Sequence, residues 1–580
     1  VNLPNLTRRQ IIAIIVTLLL TGYQVLRLIV FVDVYGGIEH DGGWMLSISR
    51  SLAEQGTYTT MVSTIADPAV SGAVGVDGKF DIQTPDGRIW FFTGNGIGPA
   101  SIIPDALVIL IFGSGFWALH LGPLLFYTFF LLLASLILYR LAGLPAIVLF
   151  HAFLFFYPHL SIFLGYEAMG EVPAMFYVLW AYLAFAAAVK TEQRRSLYFF
   201  LAGLVIGLAL NAKLITLWSL SGIFAWAGVL WLAGSRWLSM NSWRSSKVRL
   251  VEIFSMVGGA VIPVVLWELV HLFILTRLTN FAMYLQHAEQ RLKFILDDGS
   301  GVGLQTHSGP EFFWDKFFLL SEVTHPQRWV TALIFLSIFL TGLGLLWWWR
   351  NQLQKHALLG PMWLGWLANT VWFVGLAKTG WPRHFWFGLV LAAILVSVIV
   401  VALLKLGLER MVAGTKAEQG RSAVLPTVLG SFLLLLIVWG FVSQPHVWGF
   451  WVPDRIVPYW QNKQINHKYG ASLPWIIIPR AAQAEIVAQL RQLPPEANVY
   501  YPAQHKTPEI ATQIGRVVYP LARREFVEAH PQDVVLIGVS LIAPWMDPVR
   551  QEALLNLVRE DCPQPVLAND YYMICPFSAE

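Results

Sequence analysis

Ionisable side chains recur in this chain at places where an apolar sequence accommodates them least. Asp33 and Asp41 follow the first long apolar run, and Glu167 and Glu171 separate the third run from the fourth. Lys213 divides the fifth from the sixth, Glu268 and His271 close the seventh, and Lys378, Arg383 and His384 stand between the ninth and tenth. Carboxylates of this kind can take up a proton as general bases, and the cations can meet a developing negative charge. An ionisable group in or beside a membrane span is expensive, so it is a functional candidate by default. Any one of them, read as a loop residue near water, needs no explanation. Five separate connections bringing such groups to one face predict a shared cleft there.

The richest stretch is Glu39-His40-Asp41-Gly42-Gly43. It precedes a helical pattern, 44–55, in which Trp44, Met45, Ile48 and Leu52 fall on one side before Gly56, as in a helix lying on a membrane. Asp41 falls at that helix's N-terminus, where the dipole favours a carboxylate. It reads either as a plain N-cap or as a general base that accepts a hydroxyl proton. His287 and Arg291 form a second charged cluster after the seventh run. His40, Asp41, Glu171, Glu268 and His384 include metal-ligand types, but no spacing such as HExxH is present, so a divalent metal is left open. His151, inside the third run, reads as a satisfied core histidine.

The elements that must position these residues follow from composition. Of 580 residues, 56% are hydrophobic and 13% charged, against about 25% charged in soluble domains. A large part of the chain must therefore face lipid. Eleven runs approach the length of a span: 11–32, 119–138, 144–163, 172–188, 197–210, 214–232, 251–275, 329–349, 358–377, 385–404 and 424–442. The first is expected to be a retained helix rather than a cleaved signal. The apolar stretch 102–112 is too short to span and reads as interfacial or re-entrant. The 26 Trp suit interfacial belts.

Lys and Arg set the orientation. Arg8, Arg9, Arg140, Lys190, Arg194, Arg195, Arg236, Arg244, Lys247, Arg249, Arg350, Lys355, Lys405, Arg410, Lys416 and Arg421 occupy alternate connections, which predicts those connections to be cytoplasmic. The expected layout is a transmembrane unit over 1–444, with exterior loops 33–118 and 276–328, and an exterior unit over 445–580. In the latter, β-like runs (498–501, 534–542, 571–574) alternate with helical patterns (481–493, 547–560), predicting a small α/β domain without a GxGxxG nucleotide motif. Both cysteines, Cys562 and Cys575, fall there. They read as two buried thiols or one disulfide, and an exterior location favours the disulfide.

Several motifs then resemble, in order, the GT-C fold of membrane glycosyltransferases that use polyprenyl-phosphate sugars, among them protein O-mannosyltransferases and lipid A aminoarabinose transferases. They are His40-Asp41-Gly42 leading to Gly56; Gly98-Pro99 before Pro104-Asp105-Ala106 and Phe112-Gly113; Glu171-Val172-Pro173; Gly203, Gly207 and Lys213; and Pro382-Arg383-His384-Phe385. The resemblance covers roughly 10–445. Gly42 stands where many members carry a second carboxylate, and His384 where Tyr is more usual. The resemblance implies an inverting glycosyltransferase in a plasma (inner) membrane, N-terminus cytoplasmic and C-terminal unit periplasmic. Its donor would be a sugar on a polyprenyl phosphate, and its acceptor a glycan, lipid or protein. Asp41 and Glu171 are then the expected catalytic residues, and Lys213, Arg383 and His384 the phosphate-binding ones. His40, Glu167, Glu268, His287 and Arg291 are expected in the cleft. Membrane lipid is an expected partner and nucleic acid is not. The alternatives are a flippase for a lipid-linked saccharide, whose charges belong near the midplane, and a non-catalytic assembly subunit.

Overall fold

Lipid offers backbone N–H and C=O groups no partners, so long apolar runs must close their hydrogen bonds internally as helices. The computed structural model of the chain describes residues 7–38, 40–67, 72–76, 79–92, 96–156, 170–234, 248–293, 328–348, 356–377, 382–413, 417–442, 478–502, 506–526, 528, 530–538 and 564–577. Each of the eleven apolar runs is helical over most of its described length. In chain order, α1 (Arg8–Tyr35) is followed by α2 (His40–Gln55), the strands β1 (Gly72–Val76), β2 (Lys79–Gln83) and β3 (Ile89–Trp90), and α3 (Pro99–Phe112). Then come α4 (Phe116–Leu141), α5 (Leu144–Phe156), α6 (Glu171–Lys190), α7 (Arg195–Ala212), α8 (Leu217–Gly234), α9 (Leu250–Leu278) and α10 (Phe281–Lys293). After these follow α11 (Arg328–Trp348), α12 (Leu359–Val371), α13 (Trp386–Ala413) and α14 (Ala417–Val442). The C-terminal unit contains α15 (Arg480–Leu490), β4 (Val499–Tyr501), α16 (Pro508–Ile514), β5 (Val518–Pro520), β6 (Val534–Gly538), β7 (Leu567–Ala568) and β8 (Tyr572–Pro576).

Among the described residues, 7 helices are long and apolar enough to cross a membrane, and further apolar helices are shorter. The protein is a multi-pass membrane protein. α3 has 14 residues, about 21 Å at 1.5 Å per residue, and falls short of a span. Two helices occupy the centre: α6 and α13 each have 78% of their apolar window buried. Small residues let the others approach. Gly203 and Gly207, one turn apart on α7, face Met256, Ala260 and Pro263 of α9, and a Cβ on either would overlap a backbone carbonyl there. Gly259 of α9 meets the Phe200 carbonyl from the other side. In lipid, where apolar side chains gain little by associating, such close backbone contact is a main source of helix adhesion.

The C-terminal unit is built on a five-stranded sheet of order β5-β4-β6-β8-β7. β5, β4 and β6 are parallel, β8 runs antiparallel to them, and the edge strand β7, antiparallel to β8, points the same way as β6. Its edge at β5 is covered by the loop between α2 and α3, where Ser63 donates to the Val518 carbonyl at 2.8 Å and Val518 to the Met61 carbonyl at 3.0 Å. Trp44, Met61 and Val62 share one apolar cluster with Ile486, Val499, Ile510, Val534 and Ile574. On its other side α2 contributes Met45, Leu46 and Ile48 to a cluster with Ile102 and Ile109 of α3 and Leu275 of α9. The helix expected to lie on the membrane by one face is thus enclosed by protein on both. Cys575 is disulfide-bonded; Cys562, the other cysteine of the chain, and the predicted helix 547–560 lie outside the described residues.

Candidate active site

Asp41 stands half-buried in the first turn of α2, where helix N–H groups favour its negative charge. The residues after it, Gly42 to Ser49, are all buried. Gly43 has no room for a side chain, since a Cβ would run into the Glu509 backbone at the start of α16. His40, just ahead of Asp41, accepts at Nε2 from Trp44 Nε1 at 3.2 Å.

A second group forms where α3, α6 and α7 meet. The loop before α3 is stitched to the end of α7: Ile97 bridges Lys213, and Gly98 donates to the Ala212 carbonyl at 3.1 Å. Gly170, with φ of 80°, caps α6 and packs against Ile97. That left-handed turn delivers Glu171 into the interior, 1% exposed. Lys213 leaves the helix at the C-cap of α7, and its ammonium donates to Glu171 Oε1. The Gly98, Glu171 and Lys213 motifs, remote in sequence, therefore converge at one place.

A third group joins α9 to α10. Arg291 donates both to Glu268 and to His271 Nδ1, and the Tyr284 hydroxyl donates to the other oxygen of Glu268 at 2.8 Å. His287 is buried beside them, 6.2 Å from His271 between ring centroids. Burial pushes its imidazole down to about 3, so it is neutral at physiological pH. Phe91 stacks edge-on to His271 at 4.1 Å and also touches Tyr58 and Trp267, closing the group with aromatic rings. Glu268, His287 and Arg291, three of the expected cleft residues, are brought together; His271 and Tyr284 join them.

His384 is half-buried in the single 3-10 turn Pro382–Phe385 ahead of α13. Arg383 is on the same turn, but its side chain lies outside the described residues, as do Glu39, Glu167 and Lys378 entirely. Asp33 does not join these groups: it pairs with Arg480, whose guanidinium lies 4.3 Å from the Phe116 ring centroid. His151 is a core residue bonded to Ser135 Oγ at 3.1 Å. Among the described residues no three His, Cys, Asp or Glu side chains are grouped to hold a metal ion. Two buried carboxylates carried no sequence signal as site residues: Asp105 of α3 and Glu509 of α16, 2% and 0% exposed. Neither spacing nor hydropathy distinguishes Glu509 from a surface acid; only the docking of α16 on α2 does.

No protein-family model matches the sequence, and no curated protein matches it. Solved structures do match its fold. ArnT from Cupriavidus metallidurans in the apo state aligns with a TM-score of 0.53 at 14% identity, covering 98% of this chain and 98% of that one. The structure of ArnT bound to undecaprenyl phosphate aligns at 0.52 and 13% identity, covering 97% of this chain and 98% of that one. This protein has the GT-C fold: among the described residues, 7 helices long and apolar enough to cross a membrane, further shorter apolar helices, and a small C-terminal sheet.

Proposed function

We propose that this GT-C-fold protein is an inverting glycosyltransferase that moves a sugar from a polyprenyl-phosphate donor to an acceptor hydroxyl at the exterior membrane face. The observation that carries this reading is the whole-chain likeness to ArnT, an aminoarabinose transferase also solved with undecaprenyl phosphate bound. The meeting of the Gly98, Glu171 and Lys213 motifs at one mouth of the bundle adds support.

In this mechanism the acceptor hydroxyl gives its proton to the Asp41 carboxylate while its oxygen forms the bond to the anomeric carbon. The bond from that carbon to the phosphate oxygen breaks on the opposite side, and its electron pair leaves with the polyprenyl phosphate. Lys213 meets the charge that develops there, held at the end of α7 by Glu171. Arg383 and His384, on the turn before α13, are the partners proposed for the remaining phosphate oxygens. The lipid tail of the donor stays in the bilayer, so the donor reaches the site sideways.

The test is to incubate the purified protein with radiolabelled polyprenyl-phosphate sugars and an extract of membrane lipids and glycans. The reading predicts label leaving the lipid for a second molecule, with inversion at the anomeric carbon. Saturable donor binding with no transfer would favour a lipid-saccharide flippase instead.

A further inference from the structure

The segment that carries Asp41 is gripped by the C-terminal unit from both ends. Before it, Gly37 donates to the Ile478 carbonyl at 3.0 Å. Gln483 of α15 then bonds both backbone groups of Ile38: its oxygen accepts from the N–H at 2.8 Å and its nitrogen donates to the carbonyl at 2.7 Å. After Asp41, the Thr512 hydroxyl donates to the Gly43 carbonyl at 2.8 Å, and Arg50 reaches the Gln513 carbonyl at 3.1 Å.

Between these grips lies a chain of side chains. Gln483 donates to the Tyr572 hydroxyl at 3.0 Å, and that hydroxyl donates to Glu509 Oε1 at 3.1 Å. The other carboxylate oxygen, Oε2, lies 3.7 Å from His40 Nδ1. The indole N–H of Trp44 can only donate, so the Nε2 of His40 that receives it bears no hydrogen. The neutral ring must then carry its hydrogen on Nδ1, the nitrogen that faces Glu509. Trp44 thus sets the tautomer of the residue next to Asp41, and a carboxylate buried to 0% exposure faces the nitrogen that bears the hydrogen.

We propose that Glu509 is a positioning residue for Asp41, acting through His40, so that the C-terminal unit completes the active site rather than capping the molecule. The proposal rests on Asp41 being the base of the transfer proposed above. Its physical content is geometric: an error of about 1 Å in a reacting group can cost about a hundredfold in rate.

The test compares the full-length wild type with Glu509→Gln, Glu509→Ala and Asp533→Asn. Asp533 lies in the same unit, where its carboxylate accepts from the Asn498 and His530 N–H groups and pairs with Arg524. It therefore reports general damage to the unit. Expected for Glu509→Ala is a fall in kcat of at least tenfold with the donor KM changed less than twofold. Glu509→Gln, which keeps the volume and an acceptor for Tyr572, should fall between. Asp533→Asn should lower thermal stability but leave kcat per folded molecule unchanged. Hydrogen exchange over residues 38–46 should quicken in Glu509→Ala and not in Asp533→Asn. Wild-type kcat and protection in Glu509→Ala, or an equal fall in kcat in Asp533→Asn, would overturn the proposal. If the wild type transfers from no donor, the glycosyltransferase reading fails. The exchange arm then still decides: protection lost only in Glu509→Ala upholds the grip on this segment, and protection retained overturns it.

Discussion

Lys213 and Glu171 form an ion pair with side chains 15% and 1% exposed. Removing one partner of a buried pair leaves an uncompensated charge and costs about 3–5 kcal/mol. Lys213→Met and Glu171→Gln should each destabilise the protein, and the double variant should recover most of the loss. Transfer should stay at least tenfold down in both Lys213→Met and the double variant, because the missing ammonium is also the proposed phosphate partner. A double variant that regains transfer would make the pair purely structural. Asp105 presents the opposite case. Neither of its carboxylate oxygens has a hydrogen-bond partner among the described residues, and a Cβ on Gly122 would collide with it. Burial holds its carboxyl well above the usual carboxylate range. With the folded value raised above the unfolded one of about 3.9, its contribution to stability is full at pH below about 4 and declines as pH rises toward the folded value. Asp105→Asn should therefore match the wild type at pH 4 and be the more stable of the two at pH 8. Thermal unfolding in detergent at the two pH values measures this, and a wild type that is the more stable at pH 8 contradicts it. At this scale the sequence was readable where a charge interrupts an apolar run, as at Glu171 and Lys213. Asp105 also interrupts an apolar stretch, 102–112, but its burial with no hydrogen-bond partner among the described residues was not legible there; Glu509 was opaque, because what makes it unusual is a neighbour distant in the chain.

The helices owe their legibility to length. Nothing but a helix satisfies a run of about 20 apolar residues in lipid, so the runs were readable before any contact was known. α16, β5 and β7 have 7, 3 and 2 residues, too few for a period to register. α2 misleads for another reason. Ser47, Ser49 and Ser51 are polar, yet all three are buried. The hydroxyls of Ser47 and Ser49 bond to carbonyls of their own helix, Trp44 at 2.7 Å and Met45 at 3.2 Å, so enclosure leaves them satisfied. The contact between α7 and α9 is the element most open to test. Gly207→Val would push into the Ala260 carbonyl and Pro263, and overpacking of this kind costs about 1–3 kcal/mol. A methyl on Gly228 of α8 would meet nothing within 4 Å, and Ala there should be neutral or stabilising by up to about 1 kcal/mol. Size-exclusion profiles and thermal unfolding of the two variants separate the cases; a stable Gly207→Val would remove the packing argument.

Across the whole molecule, the first loop, α10 and the C-terminal unit lie at the end of the bundle where α4 and α6 begin and α7 and α9 finish. Arg140 and Lys190 stand in the last turns of α4 and α6, at the other end. This polarity agrees with the proposal that the site faces outward and the basic connections face the cytoplasm. An alkaline phosphatase reporter fused after Glu580 should be active in a bacterial host, since it folds only outside the cytoplasm; an inactive fusion made at normal levels would reverse the orientation. Asp41, at the head of α2, is the residue proposed to take the acceptor's proton. Asp41→Asn keeps the shape of the side chain and removes its basicity. The direct measurement is transfer of labelled sugar from polyprenyl phosphate by the wild type and by this variant, at matched folded yield and donor binding. Expected are transfer by the wild type and a loss of at least a hundredfold, about 2.7 kcal/mol in the barrier, in the variant. Transfer by Asp41→Asn at the wild-type rate would contradict that proposal.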